Sequence, residues 1–289
     1  MVVTVQEPEV RQSPPHDPPA GPPVVAAENL FKVVRATDAS ARRNRGSTDE
    51  LVIVDDVSFT IRSGETLGIV GPSGCGKTTL LNMMAGLVFP TAGQLRINGA
   101  VVTGPDRRMG YMTARPGLMP WRSAVRNVQF GLEVRGIKGA QARETAMRML
   151  ELVDLADFAH WYPFKLSQGM RQRVALARTL AIDPAILLMD EPFAALDVQT
   201  KLTLQQQFLA LREGTERAVA WVTHDVNEAV SLCDRVIVMS PRPGRIKTEI
   251  RIDLDHPRDL ATLRFDPVYQ QLAEAVWKEF DAAEQEGTT

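Results

Sequence analysis

The stretch GPSGCGKTT, residues 71–79, constrains this chain more than any other. It follows the short apolar run TLGIV (66–70) and leads into a helical pattern beginning near Lys77. A glycine-rich turn between a strand and a helix lets the backbone curl until its N–H groups face a common centre. The helix start adds unpaired donors and the positive end of its dipole, so the turn is a cradle for an anion. Gly71, Pro72, Ser73, Gly74, Cys75, Gly76, Lys77, Thr78 and Thr79 are the expected lining. The pattern G-x-x-x-x-G-K-[ST] is filled from Gly71 to Thr78, which assigns Lys77 to the outer phosphates of a nucleotide and the Thr78 hydroxyl to Mg2+. A chain carrying this turn needs a buried strand before it and a covering helix after it.

A second stretch, ILLMDEPFAALD (186–197), places Asp190 and Glu191 side by side at the tip of a buried run. Two adjacent buried carboxylates are costly without a cation. Ligands of parallel sheets sit beyond the carboxyl ends of the strands, so this acid tip can stand beside the glycine turn. Asp190 is expected to hold Mg2+, and Glu191, pointing elsewhere, to polarise a water that attacks a phosphate. Lys77 and the metal would offset the negative pair.

The rest of the chain supports an α/β architecture. VVAAENLFKVV (24–34) and LVIVDDVSFTI (51–61) read as strands, and GQLRINGA (93–100) as a strand and turn. Residues 122–180 are mostly helical by period, with AQARETAMRMLELV (140–153) the best amphipathic case. After that, AILLMD, 198–213, AVAWVTH, 226–232 and RVIVMS alternate between strand and helix signals, which implies a parallel sheet covered on both faces. Residues 1–23 are crowded with proline and read as a disordered tail, and polar residues 35–50 as a mobile loop. The segment 261–286 has helical period with Phe265, Val268, Leu272, Val276 and Trp277 as its apolar side.

Net charge is −2 with the two signs interspersed, which argues against a dedicated nucleic-acid binder. Cys75 and Cys233 show no paired spacing, so no disulfide framework or zinc site is expected. No run reaches the ~20 apolar residues that cross a bilayer, and no signal peptide is indicated. A cytosolic protein is expected, meeting a membrane only through a partner.

Taken together, GPSGCGKTT, LSQGMRQRVALARTL (166–180), ILLMDEPFAALD and VTHD (222–225) resemble, in order and spacing, the ATP-binding subunits of ABC transporters. LMPWRSAVRNV (118–128), HDVNEAVSLCDRVIVMSPRPGRI (224–246) and DLDHPRDL (253–260) are similar to the nitrate/sulfonate/taurine group of bacterial importers. The resemblance implies a P-loop NTPase (RecA-like) core with a parallel sheet, an N-terminal antiparallel β subdomain and an inserted helical subdomain. It places the cassette at 24–253, its helical lobe at about 114–180, and a helical extension at 254–289.

It also implies roles. ATP and Mg2+ would be the ligands, and Glu191, His224 and Lys77 the catalytic groups. Ser167 and the Gly169 backbone would contact the γ-phosphate of ATP held by a second subunit. Asp197 would belong to the loop that links the two sites. Two copies, or a paired ATPase subunit, would meet head to tail at the cytoplasmic face of the cell membrane. They would drive integral membrane permease subunits, served by a solute-binding protein. Trp121 and Phe130 are candidate membrane-subunit contacts.

The chain departs from the family at three places. Gln168 replaces a glycine of the signature, and Ala114 stands where the family carries a glutamine that reaches the metal. Thr113 and Arg115 are the neighbours that could substitute. The adenine-stacking aromatic aligns near Val34, with Phe31 close by. A nucleotide-binding subunit with altered hydrolysis and a soluble non-transport ATPase are the competing readings.

Overall fold

The computed structural model describes residues 22–35 and 50–286. Almost all of the expected tail (1–23) and loop (35–50) lie outside the described residues. Arg35 and Glu50, assigned to that loop, instead end one strand and begin the next, directly paired across it.

β1 (Val25–Arg35) and β2 (Glu50–Ile61) form an antiparallel pair, and β1 takes a later strand, Ala92–Ile97, on its other edge. β3 (Thr66–Val70) enters the glycine turn, and α1 (Lys77–Met84) leaves it. β4 (Ala92–Ile97) and β5 (Ala100–Val101) complete a small sheet in the order β2-β1-β4-β5.

β6 (Met109–Met112) precedes the helical lobe of α2 (Ala124–Val134), α3 (Gly139–Leu152) and α4 (Gln168–Ala181). The chain then alternates: β7 (Ile186–Asp190), α5 (Val198–Arg212), β8 (Ala218–Val222), α6 (Val226–Leu232) and β9 (Arg235–Met239). β10 (Ile246–Arg251), α7 (Leu260–Leu263) and α8 (Pro267–Glu286) follow.

The large sheet has the order β10-β9-β3-β8-β7-β6. All its pairs are parallel except β10 on β9, an antiparallel edge. Every residue of β3, β7 and β8 is buried, as strands covered on both faces require. The pleat divides their side chains between two cores. Ile186, Leu188, Ala218 and Ala220 join α1 and the small sheet on one face. Leu187, Met189, Val219 and Trp221 face the helical lobe, α5, α6 and α8 on the other.

β6 carried no sequence signal, because four residues are too few to display a period. The C-terminal helix corrects one expectation. α8 packs through Tyr269, Val276, Phe280 and Ala283, spaced seven, four and three apart along one helical stripe. Of the side read from sequence, Phe265, Val268 and Trp277 are exposed, and only Val276 is fully buried. Phe265 precedes the helix and lies under the Arg264 guanidinium.

Candidate nucleotide site

β3 ends at Val70, and the turn that follows places Gly76 at φ 108° as the N-cap of α1. A side chain there would meet Val54 Cγ2 at 3.1 Å and Ile53 O at 3.2 Å, so this corner is confined to glycine by both conformation and space. Lys77 is buried, and its Nζ donates to Gly71 O at 2.6 Å and Pro72 O at 2.9 Å. The ammonium is therefore folded over the mouth of its own turn, held by neutral carbonyls that a phosphate would outcompete. Ser73, Gly74 and Thr78 are exposed at this mouth, and Pro72 and Thr79 are half-buried. Cys75 is fully buried behind the turn. Burial pushes its thiol up, against the pull of Lys77, so only its backbone is available to a ligand.

Asp190 closes β7, two strands from β3 across β8. The Thr78 hydroxyl donates to its Oδ2 at 3.1 Å and lies 3.3 Å from Oδ1. Asp190 is buried, and burial raises its pKa, with the neighbouring Glu191 charge adding to the effect. Thr78, Lys77 and the Ala114 amide pull the other way but do not cancel it. A hydroxyl and a buried, under-compensated carboxylate form the oxygen donor set a hard divalent cation prefers, so the pair fits Mg2+.

Glu191 takes φ 48°, a left-handed conformation that costs a non-glycine residue about 1–2 kcal/mol. That turn separates the two acids. Asp190 faces Thr78, whereas Glu191 Oε2 lies 3.3 Å from His224 Nδ1. His224 follows β8 and stands 61 % exposed by its side chain. Asp225 caps α6, accepting from the Glu228 amide at 3.2 Å.

Ser167 and Gly169 belong to the other lobe. Ser167 caps α4 by accepting from the Met170 amide at 3.1 Å. Among the described residues, neither hydrogen-bonds to any member of Gly71–Thr79. Instead the start of α4 rests on the segment after Glu191. Gln172 Nε2 donates to Pro192 O at 3.1 Å, and Gly169 lies against Ala195 and Leu196. Gln168 is exposed in the first turn. Asp197 caps α5, accepting from the Thr200 amide at 3.0 Å, which holds its carboxyl below the usual range.

Ala114 is exposed beside Asp190, and the Thr113 hydroxyl is engaged with Arg115 O at 2.7 Å. Trp121 is 73 % exposed, whereas Phe130 is half-buried under the Arg122 guanidinium. Val34 is exposed and Phe31 half-buried.

Three contributors escaped sequence reasoning. Arg242, on the loop after β9, donates to Gly74 O through Nε at 3.2 Å and Nη2 at 3.1 Å. Gly244 lies so close that an added Cβ would stand 1.9 Å from Cys75 O. Arg178 of α4 donates to Gly117 O at 2.9 Å and Pro116 O at 2.7 Å, tying the segment after Ala114 to the helical lobe. All sit in stretches quoted above for resemblance, but their partners are distant in sequence and no local pattern marks them.

A central parallel strand that runs through a glycine turn into a helix, with an acid ending a nearby strand against the turn's threonine, defines a P-loop nucleoside triphosphatase. The ABC transporter family model matches residues 54–194. An uncharacterised ABC transporter ATP-binding protein of Methanocaldococcus jannaschii is 48 % identical over 212 residues, 73 % of this chain and 79 % of that one. The taurine import ATP-binding protein TauB of Yersinia pestis is 44 % identical over 200 residues, 69 % of this chain and 78 % of that one. Among solved structures, a dimeric post-hydrolysis ATP-binding cassette bound to ADP and phosphate is 30 % identical with a TM-score of 0.70. It is matched over its whole length and covers 80 % of this chain. The chain belongs to the ABC transporter family, as an ATPase cassette.

Proposed function

We propose that this chain is the ATP-hydrolysing subunit of a bacterial importer, acting as a head-to-tail pair at the cytoplasmic face of the membrane. One observation carries the reading: Asp190 meets Thr78 at the phosphate turn while Glu191, the next residue, turns away onto His224. The turn and Lys77 would bind the phosphates of ATP. Thr78 and Asp190 would hold Mg2+, which when bound supplies positive charge to the β- and γ-phosphate oxygens. Glu191 would take the proton of the attacking water, with His224 orienting it and facing the γ-phosphate.

Ser167 and Gly169 lie on another lobe from the turn, which favours their use by the nucleotide of a second copy. A single chain would then hold two half-sites, and pairing would complete both. Among the described residues no helix is long and apolar enough to cross a membrane, so separate permease subunits would form the path. Exposed Trp121 is the contact we assign to them, with a solute-binding protein delivering cargo from outside.

The likeness to TauB supports a small sulfonate or a related anion such as nitrate as cargo. Ala114 favours one variant of this reading, in which the missing glutamine weakens hydrolysis. The test is reconstitution in vesicles with candidate permease subunits. Taurine, an alkanesulfonate or nitrate, presented with the cognate binding protein, is expected to raise ATP turnover several-fold. No stimulation by any of the three overturns the cargo, and failure to co-purify with the membrane subunits overturns the importer.

A further inference from the structure

Lys201 lies in the first turns of α5, its amide donating to Asp197 O at 2.9 Å. Its ammonium stands 2.6 Å from Glu228 Oε2 and 2.8 Å from Asp225 Oδ2. Both carboxylates belong to the start of α6, and Asp225 directly follows His224. The Glu228 side chain is 2 % exposed, and its second oxygen accepts from Trp221 Nε1 at 2.7 Å. Burial works against the charge of Lys201, but Glu228 and Asp225 outweigh it and keep the ammonium protonated.

Buried ion sets are weak devices for stability, since an apolar set of the same shape often does as well. They are strong devices for geometry, because a single arrangement satisfies every charge and hydrogen bond. Here that arrangement joins two elements of different origin. α5 continues the segment Glu191–Asp197, on which the start of α4 rests. α6 begins two residues after His224, with Asp225 between them as its cap. No other residue among those described bridges α5 to both Asp225 and Glu228.

We propose that Lys201 is a positioning residue: through Asp225 and Glu228 it clamps His224 to the segment ending at Asp197. A shift of that segment on pairing with a second copy is then delivered to His224 within the same subunit. The inference rests on the roles given to His224 and Asp197 above. The Lys201 ammonium is taken up by Asp225 and Glu228 and makes no hydrogen bond to the glycine turn among the described residues, so its loss acts on turnover rather than on nucleotide affinity.

The test uses the full chain with MgATP, reading kcat, KM and the unfolding midpoint. Lys201→Met alone strands two acids, so it is paired with Lys201→Met/Glu228→Gln, which removes the buried charge left behind. The double variant is expected to hold KM within about two-fold of the parent while kcat falls about ten-fold or more. Lys201→Arg is expected to recover most of the rate. Should the double variant not fold, Lys201→Gln against Lys201→Arg decides, with Gln losing turnover and Arg keeping it. Parental kcat in the double variant, or equal rates for Gln and Arg, overturns the proposal. His224→Ala is run alongside. If it turns over ATP like the parent, the role of His224 falls; if it is impaired and the Lys201 variants are not, only the clamp falls.

Discussion

Nδ1 of His224 stands 3.3 Å from Oε2 of Glu191, and the two meet because Glu191 adopts φ 48°. An extended Glu191 would continue β7 and send its carboxylate into the sheet's alternation. The left-handed turn instead frees it from Asp190 and aims it past the end of β8, whose Val222 carbonyl accepts from the Glu191 amide at 2.9 Å. Strain of this kind persists only where surrounding contacts hold it, and it concentrates at functional sites.

Glu191→Gln keeps the shape of that turn and removes the base. Turnover of MgATP is expected to fall by about 10²–10⁴-fold. The variant should accumulate as a nucleotide-bound dimer, read by size-exclusion chromatography with light scattering. A variant that stays monomeric with MgATP would sink the head-to-tail scheme.

Asp190 supplies a pH prediction. Its folded pKa is raised by burial first and by the Glu191 charge, so the native state holds that proton more tightly than the unfolded chain. Stability without nucleotide is therefore lost as pH rises from the ordinary carboxylate value through the raised one. Asp190→Asn removes this penalty. In EDTA it should melt a few degrees above the parent at neutral pH, with the gap closing toward about pH 4, while Mg2+-dependent hydrolysis collapses. Equal midpoints across that range would contradict the assignment.

Ala114 presents a methyl group where a longer amide could reach the Thr78–Asp190 pair. Ala114→Gln is expected to change the Mg2+ concentration giving half-maximal hydrolysis and to raise turnover. A variant indistinguishable from the parent counts against an altered metal environment.

Gly244 is fixed by contact rather than by torsion. Its Cβ in Gly244→Ala would press on Cys75 O from 1.9 Å and on Met239 Cε from 2.9 Å. The phosphate turn must shift, so ATP affinity should fall about ten-fold or more, at 1.4 kcal/mol per decade. Calorimetric titration measures it, and parental affinity would refute the coupling.

What could be read in advance followed local pattern. TLGIV, ILLMD and AVAWV are continuous apolar runs between turn residues, and each is a fully buried strand. The glycine turn and the acid tip carry their chemistry in consecutive residues, so their types and spacing revealed them. Arg242 and Gly74 are 168 positions apart, and nothing near either names the other. Lys201 has the sequence context of any charge on a helix, and its partners Asp225 and Glu228 lie 24 and 27 positions away. The C-terminal stripe was misjudged because Phe265 precedes the helix, and Val268 and Trp277 flank, on opposite sides, a buried stripe that includes Tyr269 and Ala283. β10 runs antiparallel at an edge that an alternating strand and helix pattern does not anticipate.

The place of β3 has a consequence for how the cassette is made. Its two neighbours in the sheet are β8 and β9, so residues 66–70 wait for partners that begin at Ala218 and Arg235. On a ribosome adding roughly 5–20 residues per second, a delay of some 150 residues lasts on the order of ten to thirty seconds. Throughout that interval the nascent chain has no sheet centre on which to fix its glycine turn. Nucleotide can reward folding only once residues 218–239 have emerged, which makes ATP a late stabiliser of the cassette rather than a template for its assembly.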